Sequence, residues 1–166
     1  MSETLSARDL ELLRAAIAVA RRAREHGNHP FGAILTDAQG NILLEAENSV
    51  VTENDCTCHA ETNLMRLASR KFSRDFLATC RLYTSTEPCA MCAGAIYWGN
   101  VCRVVFALSE AALYAMTGDD PENPSFQLPC REVFAHGQKD IAVLGPALAE
   151  EAGQVHEGFW RKPKTA

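Results

Sequence analysis

Two short segments of the chain, residues 58–61 and 88–92, carry the side-chain types that bind zinc in proteins. Cys89 and Cys92 stand three positions apart at the start of an expected helix, so both thiols face the same side. The partial positive charge of a helix N-terminus favours thiolate over thiol. His59 opens another expected helix and supplies a third ligand, which leaves one tetrahedral position for water.

Glu61 follows His59 by two positions, too close for comfortable joint ligation but well placed to reach water on the metal. Zinc lowers the pKa of a bound water to about 7, and a nearby carboxylate can pass that proton to a leaving nitrogen. The two segments therefore supply what hydrolysis of an exocyclic amino group requires: hydroxide adds to an amidine-like ring carbon, and Glu61 protonates the departing amine.

A cysteine pair at this spacing has other uses, and a redox pair or a closed structural zinc site is the alternative. A closed site needs a fourth protein ligand. Four further cysteines could supply this fourth ligand, although none of them stands at the spacing of a ligand motif: Cys56, Cys58, Cys102 and Cys130.

Composition narrows the class of protein. The 166 residues suit a single domain, 1–166, and seven cysteines without a visible secretory signal favour metal or catalytic use in the cytoplasm. The uncharged run at 88–102 is shorter than the ~20 residues that span a bilayer. The net charge of −5 argues against a nucleic-acid substrate, although Arg161, Lys162 and Lys164 form a faint basic tail.

Hydrophobic periodicity predicts an alternation of strands and helices. Ser6 is expected to cap the first helix with Asp9 as capping-box partner, and Leu67 is expected to face inward with Ala60, Leu64 and Ala68. Loops are expected over 49–57 and 117–129. Helices are predicted at 6–26, 58–72, 89–98, 109–116, from 129 and at 147–160, and strands at 31–37, 42–48, 81–86, 101–108 and 141–144. This order predicts an α/β fold, a three-layer α/β/α domain with a mixed five-stranded sheet. The helix at 89–98 is apolar and is expected to be largely buried.

The H-x-E and P-C-x-x-C segments resemble the cytidine deaminase-like superfamily of zinc deaminases. The resemblance extends from about residue 10 to residue 108 and includes 30–33, Asn48, 54–55 and 84–98. The sequence of these motifs most resembles that of bacterial guanine deaminases, and it is also similar to cytosine deaminases and tRNA adenosine deaminases. Two residues depart from the pattern of this superfamily: Cys56 stands where Pro is usual and Cys58 where Ala is usual. Both are expected to line the approach to the metal.

The resemblance implies a cytidine deaminase-like fold, a homodimer and one Zn²⁺ per subunit, held by His59, Cys89 and Cys92, with Glu61 as proton shuttle. It also implies substrate contacts, and the C-terminal helix at 147–160 is expected to close the pocket. Each candidate has a structural alternative: Asn48 and the aspartates suit turns, and the aromatic side chains suit the core. The candidate contacts are Asn48, Phe31, Asp119, Asp120, Trp98, Phe159 and Trp160.

Three functional hypotheses remain. The first is a free-base deaminase that converts guanine to xanthine, with cytosine, a nucleoside or an aminotriazine as other substrates. The second is a tRNA adenosine deaminase, which requires a basic rim. The third is a non-catalytic zinc-bearing interaction domain, which predicts four protein ligands and no role for Glu61.

Overall fold

The computed structural model describes residues 4–160, which surround one five-stranded sheet. The strands lie in the order β2-β1-β3-β4-β5, where β1 is antiparallel to β2 and β3, and β3, β4 and β5 are parallel. The strands are β1 Gly32–Thr36, β2 Ile42–Glu47, β3 Arg81–Thr86, β4 Arg103–Leu108 and β5 Ala142–Leu144. The helices are α1 Ala7–Glu25, α2 Val50–Glu53, α3 Ala60–Lys71, α4 Arg74–Leu77, α5 Ala90–Trp98, α6 Glu110–Thr117, α7 Cys130–Ala135 and α8 Ala149–Gln154.

Successive strand residues point to opposite faces of the sheet, and each face has its own hydrophobic cluster. Leu35 and Leu82 pack on one face with residues of α3, α5 and α7. Ile34 and Tyr83 pack on the other face with residues of α1, α6 and α8. Every residue of β1 is buried, as expected for a strand covered on both sides. The predicted three-layer α/β fold with a mixed five-stranded sheet is confirmed.

Helix α1 begins at the predicted cap and lies close against β1. The Ser6 hydroxyl accepts a hydrogen bond from the Asp9 backbone, and the Asp9 carboxylate accepts one from the Ser6 backbone in return. Gly32 opens β1 at a close approach of the two backbones, and a Cβ there would overlap backbone atoms of Ala16 and Ala20.

Several expectations for individual elements are wrong. The segment 49–57 contains helix α2, and α4 was not expected. Leu67 was expected to face inward but is 47% exposed. The buried face of α3 includes Glu61 and Met65, and at 100° per residue Leu67 lies about 90° from the centre of that face. Helix α5 is less buried than expected, since Met91 is 38% exposed at one end and Trp98 is 74% exposed at the other.

The C-terminal helix is much shorter than the predicted 147–160. Helix α8 covers only Ala149–Gln154. Turns follow it, and Gly158 adopts a φ of 69°, a left-handed conformation that ends helical geometry. The aromatic residues after α8 therefore reach the protein interior from a turn rather than from a helix.

Within residues 4–160, none of the helices combines the length and the apolar composition that a membrane crossing requires.

Candidate active site

The starts of two helices place the three predicted metal ligands together. His59 is the N-cap of α3 and Cys89 is the N-cap of α5, while Cys92 lies in the first turn of α5. Their ligand atoms all lie within 4.8 Å of one another. The Sγ atom of Cys89 is 3.6 Å from Nδ1 of His59. Tetrahedral zinc with bonds of about 2.3 Å to sulfur and 2.0–2.1 Å to nitrogen separates these atoms by about 3.6 Å, so the side chains fit this ion.

The thiol of Cys89 is prepared to bind a cation. The neighbouring Cys92, followed by His59, lowers the pKa of Cys89 to about 4, against the opposing effect of burial. The direction of this pKa shift favours the thiolate of Cys89, the form that coordinates metals. The Thr62 hydroxyl lies 3.3 Å from the Cys92 sulfur and supports it from the side of α3.

Glu61 lies one residue inside α3 and is 6% exposed. Burial, and then the charge of Cys89, raise the pKa of the Glu61 carboxyl above its usual range. The Thr84 hydroxyl donates a hydrogen bond to Glu61 Oε1 at 2.8 Å and fixes the carboxyl group. A carboxyl with a raised pKa takes up and releases protons nearer neutral pH, which is the property that a proton shuttle requires.

A cavity of about 580 Å³ opens beside His59, Glu61 and Cys89. Its wall combines the ends of strands, the first turn of α6 and the irregular segment after α6. The side chains and backbone that form this wall belong to His29, Phe31, Asn48, Val50, Cys56, Thr86, Glu87, Met91, Glu110, Leu113, Tyr114 and residues 122–126.

Two of the predicted substrate contacts line this cavity, Asn48 and Phe31. Asn48 is 1% exposed, and its Oδ1 accepts a hydrogen bond from the Val50 backbone at 3.1 Å, which leaves Nδ2 as the donor end of the amide. The Phe31 ring packs edge-on against His156 with a centroid distance of 5.3 Å. Both side chains are therefore held in place by neighbouring residues, Asn48 by Val50 and Phe31 by His156.

The other predicted contacts lie elsewhere. Trp98, at the end of α5, is 74% exposed and is not among the cavity-lining residues. Asp120 is 7% exposed and accepts a hydrogen bond from the Glu122 backbone at 2.9 Å, in a turn that also contains Asp119. The aromatic pair Phe159 and Trp160 forms a layer behind the cavity wall, against the ring of His29.

The structure places an acidic side chain in the cavity wall that sequence analysis missed, Glu110. Glu110 is 7% exposed, and burial raises its pKa. The Tyr114 hydroxyl lies 3.0 Å from Glu110 Oε1 and accepts a hydrogen bond from the Phe126 backbone at 2.8 Å. Tyr114 therefore connects α6 to residues 122–126, the segment over the cavity. The available signal was the Ser109 N-cap, which places Glu110 in the first turn of α6.

A fourth protein ligand for a closed zinc site is not found in the part of the chain that the structure describes, where the potential metal-binding group consists of three residues. Cys58 is buried at a separate cleft, while Cys56 lines the cavity. The geometry thus lacks the four-ligand arrangement that a non-catalytic zinc domain requires.

Comparisons with known proteins identify the class. The family model described as the cytidine and deoxycytidylate deaminase zinc-binding region matches residues 6–108. A probable cytosine deaminase of Schizosaccharomyces pombe is 43% identical over 161 residues, 96% of this chain and 98% of that protein. A tRNA-specific adenosine deaminase of Haemophilus influenzae is 36% identical over 154 residues, 93% of this chain and 84% of that protein.

A solved structure supports the same class. The guanine deaminase from Nitrosomonas europaea superposes with a TM-score of 0.73 at 25% identity, covering 93% of this chain and 85% of that chain. With the fold and the ligand geometry, these matches show that the chain belongs to the cytidine and deoxycytidylate deaminase zinc-binding family. It is a zinc-dependent hydrolytic deaminase that acts on C–N bonds, as the two catalytic segments predicted.

Proposed function

We propose that this chain deaminates a free nucleobase, with guanine as its main substrate and xanthine and ammonia as products. The observation that carries the proposal is the cavity beside Glu61, whose wall includes both Glu110 and Asn48. Guanine offers N–H donors and a carbonyl acceptor on one edge, a combination that adenine lacks. A site whose buried polar groups require such partners discriminates strongly against a base without them.

His59, Cys89 and Cys92 hold the zinc ion in this proposal. Bound zinc supplies a Lewis acid that activates water near neutral pH. Glu61 takes a proton from the attacking water and delivers it to the leaving amino nitrogen, and Thr84 holds its carboxyl in position for both transfers. Water and the ring amidine are thereby converted to a ring carbonyl and ammonia, with no other reactant.

Asn48 and Glu110 orient the ring in this proposal, and Phe31 packs against it. Asn48 Nδ2 donates to the carbonyl of the base, because Oδ1 is already used by the Val50 backbone. Glu110 accepts a ring N–H. Its contact with Tyr114 keeps the segment over the cavity closed, which excludes water from the reacting carbon.

Cytosine is the second candidate substrate, because a relative that is 43% identical over nearly the whole chain is a probable cytosine deaminase. A tRNA substrate is supported by the relative from Haemophilus influenzae. The net charge of −5 opposes it, and the basic tail that it would use lies outside the described residues.

The test is an ammonia-release assay of the purified, zinc-loaded protein with guanine, cytosine, adenine and aminotriazines, beside an inosine assay on an anticodon stem-loop. We expect the highest kcat/KM for guanine. A higher value for cytosine would replace guanine by cytosine as the substrate. Absence of ammonia from every free base, with efficient inosine formation in the stem-loop, would contradict a free-base activity altogether.

We also propose that residues 1–166 act as one catalytic domain in the cytoplasm and assemble as a homodimer. All seven cysteines are unpaired, as is usual in reducing compartments. The exposed indole of Trp98, with Met91 on the same helix, offers apolar surface for a second copy. Light scattering of the wild type and of Trp98→Ala tests the dimer, and a wild type that is monomeric at micromolar concentration would contradict it.

A further inference from the structure

His29 is a lining residue of the cavity that carries a buried polar atom. The side chain lines the cavity and is 9% exposed. Its Nε2 atom is buried and has no hydrogen-bond partner among residues 4–160. The Glu122 carboxylate lies 3.8 Å away, which is too long for a hydrogen bond. Because an unpaired buried polar atom destabilises the folded protein, its presence requires an explanation.

The surroundings of the imidazole show that its position is fixed. The ring contacts Phe159 edge-on with a centroid distance of 6.0 Å and Trp160 with a centroid distance of 5.4 Å. A second buried polar atom without a partner, Thr86 Oγ1, belongs to the wall of the same cavity. Two lining residues of one cavity thus carry buried polar atoms without hydrogen-bond partners among residues 4–160, which indicates hydrogen-bonding capacity that a bound ligand fills.

The position of His29 along the cavity follows from its neighbours. Glu61, beside the metal ligands, is 6% exposed and marks the floor. The side chain of Glu122, the carboxylate nearest to Nε2, is 64% exposed and marks the mouth. His29 Nε2 therefore lies on the side of the cavity that carries Glu122.

We propose that His29 Nε2 donates a hydrogen bond to N7, in the five-membered ring of a bound purine, and that His29 thereby distinguishes purines from pyrimidines. The inference rests on the proposed guanine substrate. A pyrimidine whose reacting carbon lies beside Glu61 is one ring shorter and ends before it reaches His29. Guanine, deaminated at C2, extends its five-membered ring toward the mouth.

The chemistry of the imidazole suits a donor role. Burial, only partly offset by Glu122, lowers the pKa of His29, so the imidazole is neutral at pH 7. A neutral imidazole carries one N–H and one acceptor nitrogen. The carboxylate of Glu122 on the Nε2 side favours the tautomer with its proton at Nε2.

The test compares the zinc-loaded wild type, His29→Phe and the control variant His136→Phe, which makes the same change at an exposed position outside the cavity wall. We expect His29→Phe to lower kcat/KM for guanine about 10- to 100-fold, mainly through a higher KM, because the contact is remote from the reacting carbon. Zinc content is expected to be unchanged, and Tm to be unchanged or higher because an unpaired buried atom is removed.

The analogue 7-deazaguanine, in which carbon replaces N7, gives a measurement that does not depend on the variant. Wild type is expected to lose the same factor with this analogue, and His29→Phe to lose nothing further. Equal kcat/KM values of wild type for guanine and the analogue would overturn the inference. A His29→Phe value within twofold of wild type would also overturn it and leave the proposed function intact, whereas a wild type inactive on guanine would overturn both.

Discussion

The sulfur of Cys89 lies 3.6 Å from Nδ1 of His59, although the two residues are 30 positions apart in the chain. Each is the N-cap of its helix, so the site forms where the starts of α3 and α5 meet. Leu64 of α3 and Ile96 of α5 are fully buried and belong to the same hydrophobic cluster. The packing of these two helices therefore determines the distances between the metal ligands.

Replacing Glu61 by Gln removes the proton shuttle without changing the shape of the side chain. We expect kcat to fall by about 10²- to 10⁴-fold on the best substrate, the usual contribution of a positioned acid or base. Zinc content is expected to remain that of wild type, because Glu61 is not among the three potential ligands. Glu11→Gln, at an exposed position of α1, is the control. A loss below tenfold, with zinc intact, would contradict the assignment.

Replacing Glu110 by Gln tests whether the buried acid orients the base. We expect kcat/KM for guanine to fall about 10- to 100-fold, since an amide can present a donor where the base needs an acceptor. Tyr114→Phe keeps the carboxylate and removes only the hydroxyl that lies 3.0 Å from it, so a smaller loss is expected. Steady-state kinetics of both variants decide the point. Equal losses would show that Glu110 acts only by holding the segment over the cavity.

Asp9 is a buried acid on the face of the sheet that carries α1, and it is expected to be essential for stability. Its carboxylate accepts hydrogen bonds from the Tyr83 hydroxyl at 2.6 Å and from Arg103 at 3.3 Å. Asp9→Ala leaves both groups without this partner and removes half of the capping box, so we expect a loss of about 3 kcal/mol in the free energy of unfolding. Urea titration measures it, with Glu11→Ala as control. A loss below about 1 kcal/mol would contradict the structure of this network.

His156 makes the stability of the protein depend on pH. Burial, followed by the charge of Arg24, lowers the pKa of His156 from 6.5 to about 4. The unfolded chain therefore binds a proton more readily than the folded one. The stabilisation is complete above about pH 6.5 and is lost as the pH falls toward 4, by about 3 kcal/mol in total.

The measurement is urea unfolding of wild type and His156→Gln at pH 7.5, 6 and 5. The variant is expected to be less stable at pH 7.5, because the Trp160 indole donates a hydrogen bond to His156 Nδ1 at 2.9 Å. It is also expected to lose less stability on acidification than wild type. Equal losses in the two proteins between pH 7.5 and 5 would contradict a neutral buried His156.

The catalytic centre could be predicted from the sequence because its information is local. The spacing of Cys89 and Cys92 within one turn, and the two-residue step from His59 to Glu61, fix the chemistry before any fold is known. The cap at Ser6 and the five strands were likewise predictable from short-range patterns. The matched family region at 6–108 agrees closely with the resemblance seen from about residue 10 to residue 108.

Apart from Phe31 and Asn48, the cavity wall could not be predicted, because an irregular segment of the chain completes it. Residues 122–126 follow no periodic pattern, and their position depends on the Tyr114 hydroxyl, which contacts the backbone of Phe126. His29 precedes β1 in a turn, where sequence alone does not show which way the imidazole points. The prediction for Leu67 failed for a different reason. Glu61 is buried, so the buried face of α3 is centred on other residues than the apolar face predicted from the sequence, and Leu67 lies outside it.

The number of sulfur ligands on the bound zinc tests the metal centre most directly. X-ray absorption at the zinc edge of the purified protein is expected to give one ion per chain, with two sulfur ligands at about 2.3 Å and lighter ligands at about 2.0–2.1 Å. Cys92→Ser is expected to remove one sulfur from the spectrum. A shell of three or four sulfurs in the wild type, or a protein without zinc, would contradict a centre built from His59, Cys89 and Cys92 with one open position.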